Sequence, residues 1–214
     1  MSRAPLLLVF GMRGTLLERL HHSKVPQGMP PATYTVGTHR IWMRRDVLPT
    51  LEALKSMGCA MAIWSSTTRR NTDPLVQQCF QMSSGEGSTS DATPFEFVWS
   101  REQTIADDYR RSIIVDPEDE HATIKDLNQV WSKETPLSFF INKERARQWT
   151  PERTVLIEDT ASKGRTCAGN LLVLPTCSEL EIASEYAGME RLKEFVATKL
   201  LDADDVRTIL PYRL

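Results

Sequence analysis

Residues 6–16 read LLLVFGMRGTL: an unbroken apolar run from Leu6 to Phe10 stops at Gly11 and gives way, past Arg13 and Gly14, to Thr15-Leu16. A short run with no polar position in alternation reads as a strand buried on both faces, the mark of a parallel sheet covered by helices. The turn that follows needs close approach of the chain, which glycine permits. Gly11-Met12-Arg13-Gly14 is not a nucleotide-binding glycine loop, since it lacks both the spacing and the Lys-Ser/Thr ending of one. In open α/β sheets the ligand crevice lies at the carboxyl ends of the strands, so the residues directly after Phe10 are where chemistry is expected.

Similar runs recur along the chain at Cys59–Trp64, Phe95–Trp99, Thr154–Ile157 and Leu171–Leu174, the last stopped by Pro175. Between them lie helical patterns. Asp46 is placed to cap a helix over Val47–Met57, with Val47, Leu48, Leu51, Leu54 and Met57 as its apolar stripe and Gly58 as its stop. Asn71–Phe80 and Ile124–Trp131 also read as helices, and Met189–Leu200 with Asp204–Leu210 as a helical tail. Thr33–Met43 alternates around Gly37 and predicts a hairpin or an edge pair. His21–Pro31 and the Ser/Gly-rich Gln81–Thr93 read as loops, and Ile105–Ala122 as an irregular stretch in which Ile113–Val115 pairs as an extra strand. Strands alternating with helices give an α/β fold with a mainly parallel sheet flanked by helices and carrying small loop and hairpin insertions. A chain of 214 residues supports one domain over 1–214, with a helical tail from about 178 to 214. Gly11, Ser65 and Glu158 each follow a strand and are expected to meet at one crevice.

Hydrophobic residues make up 41% and charged residues 25%, as in ordinary globular chains, and the net charge of −2 supplies no global field for nucleic acid. Cys59, Cys79, Cys167 and Cys177 form no C-x-x-C pair and read as buried, reduced thiols of an intracellular protein, whether mitochondrial, nuclear or cytoplasmic. No apolar run is long enough to span a bilayer, and the N-terminus makes a poor signal peptide.

Several segments together carry a resemblance. Val9-Phe10-Gly11-Met12-Arg13-Gly14-Thr15 stands where the haloacid dehalogenase (HAD) superfamily has a strand followed by D-x-D-x-T. Ala62-Ile63-Trp64-Ser65 resembles a strand followed by Trp-Thr, Arg101-Glu102-Gln103-Thr104 an Arg-Glu-x-Cys segment, and Lys125-Asp126-Leu127 a Lys-Asp-Leu triplet. Val155-Leu156-Ile157-Glu158-Asp159 resembles a strand ending in an acidic pair. In this order, over roughly Leu6 to Arg207, the chain resembles the phosphatase domain of RNA polymerase II tail phosphatases and nuclear-LIM-interactor-interacting-factor-like phosphatases. The resemblance implies a HAD-like (Rossmannoid) fold, and an ancestral reaction through an aspartyl-phosphate with Mg²⁺ and an acid/base aspartate.

The departures fall on the chemistry. Gly11 stands at the nucleophile position and has no side chain. Arg13 stands at the acid/base position and stays protonated near neutrality. Thr15 is kept, and Glu158 and Asp159 remain at the acidic pair. Removing one member of such a set costs several orders of magnitude in rate, and removing both leaves only positioning. Mg²⁺ binding is expected to be lost, no other metal or cofactor is called for, and Arg13 is expected to pair with Glu158 or Asp159 in place of the metal. Ser65, Lys125 and Arg13 are the candidate anion-binding residues, with Lys125 read equally well as the ion-pair partner of Glu158 or Asp159. His21-His22 reads as a solvated loop pair. Arg69-Arg70 and Arg110-Arg111 are basic pairs that allow RNA contact without demanding it. Trp149 is either a core residue or an exposed anchor for a partner.

Three functions follow in order of expectation. The first is a pseudophosphatase acting through protein partners as a structural or adaptor subunit of a larger assembly, a ribonucleoprotein such as an organellar ribosome or its assembly intermediate being one such setting. The second is a phospho-ligand-binding module using the residual pocket, and the third a residual phosphatase.

Overall fold

In the computed structural model, residues 4–80, 93–114, 120–178 and 187–214 are described. The chain opens with β1 (Leu7–Phe10), passes into a flap of β2 (Leu17–His21), β3 (Tyr34–Val36) and β4 (His39–Met43), and then runs α1 (Val47–Ser56), β5 (Ala60–Trp64), α2 (Arg69–Cys79) and β6 (Phe95–Trp99). Next come β7 (Ile105–Ala106), α3 (Asp108–Ile113), β8 (Thr123–Ile124), α4 (Asn128–Trp131), β9 (Thr154–Glu158) and β10 (Leu171–Val173), before a final helix α5 (Gly188–Phe195) and β11 (Tyr212–Arg213).

Six strands form one parallel sheet in the order β11-β10-β9-β1-β5-β6, flanked by helices, so the fold is mixed α/β as the alternation of elements predicts. β1 is central. Leu7 lies opposite Ala60 and Thr154, and Phe10 opposite Ile63 and Ile157. Because successive side chains point to opposite faces, Leu8 and Phe10 enter one apolar cluster, with Leu51, Leu54, Ile63, Ile157 and the tail residues Leu192 and Val196. Leu7 and Val9 enter the other, with Trp64, Phe97, Trp99 and Trp149. Each such side chain contributes about 1.5–3 kcal/mol on burial, so β1 is anchored from both sides at once. All four cysteines are free and buried, and burial pushes the Cys59 thiol up to about 11 and that of Cys79 to about 12. Trp149 is a core residue, with the Arg145 guanidinium 5.2 Å from its ring centre.

Several expectations are corrected. Ile113 ends α3 instead of starting a strand, and Ile114 turns into the left-handed region at φ 38; Val115 lies outside the described residues. The extra pair forms instead between β7 and β8, where Ile105 lies opposite Ile124. That pairing takes Ile124 out of the expected helix, and Lys125 N donates to Lys163 O at 2.7 Å, so α4 keeps only Asn128–Trp131. Asp46 does flank α1, but its backbone is left-handed (φ 58) and its carboxylate makes no cap bond, facing Arg45 at 3.5 Å. Asp204–Leu210 contains a single 3-10 turn, Val206–Thr208, capped by Asp205. The loop expected over Gln81–Thr93 lies almost wholly outside the described residues, as does the start of the expected tail.

Candidate functional site

The strand ends converge as the topology requires. Gly11 N donates to Ile157 O and Ser65 N to Trp99 O, both at 2.8 Å, which ties the residues after β1 and β5 to the neighbouring strands. After Gly11 the chain turns tightly, with Leu16 N donating to Met12 O at 2.8 Å. The buried Arg44 fixes that turn by donating to Thr15 O at 2.8 Å and to Pro175 O. Above these ends lies a crevice of about 390 Å³. Arg13, Ser65, Lys125 and Asp159 line it together, with Gly14, Glu18, Thr67, Arg101, Arg110 and Lys163.

At its floor the acidic pair is held by two lysines. Lys125 Nζ donates to Glu158 Oε1, and both side chains are essentially sealed from solvent. Burial pushes the Lys125 ammonium below its usual range against the pull of Glu158, with Lys163 adding to the push. Lys163 Nζ lies 2.7 Å from Asp159 Oδ1 and 3.6 Å from Glu158 Oε2. Burial raises the Asp159 carboxyl, but Lys163, Lys125 and Thr160 together hold the group below the ordinary carboxylate range. Glu158 Oε1 and Asp159 Oδ1 are therefore each engaged by an ammonium group. Among the described residues no group of three or more His, Cys, Asp or Glu is placed to hold a metal ion.

Glu158 also reaches the space beside Gly11. A Cβ built on Gly11 would lie 2.6 Å from each Glu158 carboxylate oxygen and 2.6 Å from Thr15 Oγ1, nearer than real Cβ atoms come. Thr15 Oγ1 and Glu158 Oε2 are both buried without a hydrogen-bond partner among the described residues, and they bracket the point where a side chain on Gly11 would begin.

Arg13 is placed differently from expectation. Its Nε donates to Glu18 Oε1 at 2.7 Å, across the start of β2, while Lys125 and Lys163 take the acidic pair. Lysines replace the expected arginine because β8 and the 3-10 segment Ala161–Asn170 approach the end of β9, whereas Arg13 sits on the flap side. Ser65 lies at the crevice wall, with its hydroxyl 2.8 Å from Thr67 Oγ1 and accepting from Thr67 N at 3.1 Å. The Arg-Glu segment after β6 contributes Arg101, whose Nε donates to Ser66 O at 2.8 Å. Arg110, of the second basic pair, reaches Ser162 Oγ at 3.0 Å. Arg69 and Arg70 are exposed outside this set. Sequence reasoning passed over Lys163 and Glu18. Lys163 follows Asp159 at i+4, a spacing that often pairs charges and was legible. Glu18 was hidden because β2 itself was not recognised.

No protein-family model matches the sequence, and no curated protein matches it either. Solved structures do. A fission yeast RNA polymerase II CTD phosphatase, Fcp1, bound to beryllium fluoride, is 12% identical, with a TM-score of 0.44 over 92% of this chain and 50% of that one. A second Fcp1 structure gives 12% and 0.47 over 91% and 50%. A putative β-phosphoglucomutase from Thermotoga maritima gives 14% and 0.44 over 91% and 100%. The chain spans about half the length of the Fcp1 chains it resembles. Likeness at such identity says nothing of activity.

Proposed function

We propose that this chain is a pseudophosphatase, a HAD-like homologue of the tail-phosphatase branch that acts as a structural or adaptor subunit of a larger assembly, a ribonucleoprotein among the settings that suit it. One observation carries the loss of chemistry. The Glu158 carboxylate, held by Lys125, lies where a nucleophile side chain on Gly11 would have to stand. Asp159 is engaged by Lys163, and Arg13 by Glu18, so the remaining acids are neutralised by fixed protein cations. The set does not fit Mg²⁺: Gly11 offers no carboxylate, and ammonium groups stand against the two remaining acids where a hard divalent cation needs oxygen ligands.

Two measurements test the reading. Purified protein with Mg²⁺ and p-nitrophenyl phosphate, or a phosphoserine peptide, is expected to release no phosphate above background. Tagged protein drawn from its own cells is expected to sediment with a large complex at fixed stoichiometry. Turnover that disappears on substitution of Glu158 or Asp159 would overturn the first half; a protein found only in the light fractions would overturn the second.

A second reading, a phospho-ligand module, is favoured by the excess of cations around the crevice, where Arg13, Arg101, Arg110 and Lys163 stand among hydroxyls. Lys125 and Ser65 are poor donors for it because both are almost fully buried and already bonded within the protein. Binding of inorganic phosphate in the millimolar range, lost on substitution of Arg101, would favour it.

A further inference from the structure

No Asp or Glu occurs between Arg19 and Arg45, although the chain as a whole is net negative. Three of the four histidines fall in the same interval, together with Arg19, Lys24 and Arg40. The flap folds this interval onto itself. β2 and β4 pair antiparallel, with His21 directly opposite His39 and Leu20 opposite Arg40, so at the distal end of the three-stranded sheet Arg19, His21 and His39 share one face while Arg40 lies on the other, beside His22, and the basic groups wrap around that end.

The local contacts leave that charge unopposed. Arg19 Nη2 lies 3.0 Å from His39 Nε2, and Arg40 Nη1 donates to Thr35 Oγ1 at 2.6 Å. Neither guanidinium meets a carboxylate side chain among the described residues. A guanidinium can only donate, so the arrangement requires a neutral His39 ring, and burial together with Arg19, His21 and His22 does lower His39. His21 and His22 stack obliquely with ring centres 4.3 Å apart, and His21 meets His39 edge-on at 5.4 Å. His22, Lys24 and Arg40 are exposed. The flap borders the crevice through Glu18, which accepts from Arg13 Nε and from Arg19 N, each at 2.7 Å.

Basic groups around one end of a sheet with no carboxylate side chain bonded to their guanidinium groups among the described residues give a positive surface that attracts a polyanion. Aromatic faces interleaved with cations narrow the class. Phosphates meet the Arg and Lys groups while bases stack on imidazole rings, which single-stranded RNA offers and an acidic peptide does not. We propose that the distal flap, centred on Arg19, His21, His22, Lys24, His39 and Arg40, is a contact surface for single-stranded RNA. The proposal deepens the adaptor reading by naming a partner class and rests on it for its setting.

The test uses the full chain and a fluorescein-labelled, uridine-rich RNA of about 20 nucleotides, long enough to cover a site of the usual size, read by anisotropy across a salt series. The triple reversal His22→Glu/Lys24→Glu/Arg40→Glu is expected to weaken binding at least roughly tenfold and to flatten the salt slope, since two cationic phosphate contacts are lost. A control variant, Lys55→Glu/Lys133→Glu/Lys143→Gln, equal in charge change but at exposed positions on other surfaces, is expected to leave affinity within about twofold. Both variants are checked for native unfolding midpoints; if the triple variant does not fold, the single Lys24→Glu and Arg40→Glu variants are read instead. Equal losses in both triple variants, no RNA binding at low salt, or polyglutamate competing as well as RNA would each overturn the proposal. Absence of RNA binding in a protein that still sediments with a large complex would remove this surface alone and leave the adaptor reading standing.

Discussion

Glu158 reaches from the end of β9 into the volume that a side chain on Gly11 would fill, with both its carboxylate oxygens 2.6 Å from the position of the absent Cβ. Gly11 is not in the left-handed region, so space, and not backbone strain, excludes a larger residue there. Introducing a carboxylate by Gly11→Asp is therefore expected to cost about 1–3 kcal/mol from overpacking, with repulsion between two acids added. It is expected to confer no phosphatase activity. In Gly11→Asp/Glu158→Ala the new carboxylate can take Lys125 as its partner, so the double variant should be more stable than either single one. Urea unfolding of the three proteins decides it, and a Gly11→Asp protein as stable as the parent would sink the argument.

Lys125 and Glu158 form an ion pair closed to solvent on both sides. Taking two charges from water is costly, and the pair is held mainly because each partner needs the other. Lys125→Met alone leaves a buried carboxylate short of its cation and is expected to cost about 3–5 kcal/mol. Lys125→Met/Glu158→Leu removes both charges and is expected to recover most of that loss. The coupling energy comes from the double-mutant cycle by denaturant unfolding. A cycle with no coupling would mean the two groups act independently.

The sheet was legible because its central strands are buried on both faces, so LLVF and AMAIW carry no competing periodicity. β2, LERLH, was not, since Glu18 turns inward to an ion pair and Arg19 and His21 are only half-buried, which erases the alternation. Ile124 was read as helical because its neighbours favour a helix; its strand pairing with Ile105 is set by contacts 19 residues away that local propensity does not see. The closeness of Gly11 and Glu158 followed from topology, while Ser65 lines a crevice whose walls include neither of them. The partner of Lys125 did not follow from topology, because a lysine ready for phosphate and a lysine bound to a carboxylate 33 residues on have the same local sequence.

Asp107 ties α3 to the 3-10 segment Ala161–Asn170. It accepts from Arg165 through both oxygens, with Nη2 to Oδ1 at 2.9 Å, and from Arg110 N at 3.1 Å. The Arg165 bonds, working against burial, hold the Asp107 carboxyl below the usual range. A depressed folded-state value means that the stabilisation is present above the unfolded aspartate value near 3.9 and is lost as pH falls through the folded one. Asp107→Asn is expected to cost about 1–2 kcal/mol at neutral pH, discounted because Arg165 is partly exposed. The gap between the two proteins should close below about pH 3.9. Unfolding midpoints measured from pH 7 to pH 3 follow this directly; a gap that stays constant would exclude the ionised Asp107 as its source.

Arg153 fastens the end of the chain to the sheet. From the start of β9, where it is buried, its guanidinium donates to Ala203 O at 2.6 Å, Leu201 O at 3.1 Å and Leu200 O at 3.3 Å, and its Nε to Ala4 O at 3.2 Å. The Leu200, Leu201 and Ala203 carbonyls lie at the end of the helical tail, whose Leu192, Val196 and Leu200 belong to the same core cluster as Leu8 and Phe10. Arg153→Met keeps much of the side-chain volume but strands the carbonyls, and about 2–4 kcal/mol of stability should go with it. Arg153→Lys retains the charge without the planar fork and should recover only part of the loss. Hydrogen exchange resolves where the effect falls: amides of 196–201 should lose protection in Arg153→Met before those of β1 and β5. Uniform loss across the sheet would instead assign Arg153 to global stability, with no separate hold on the tail.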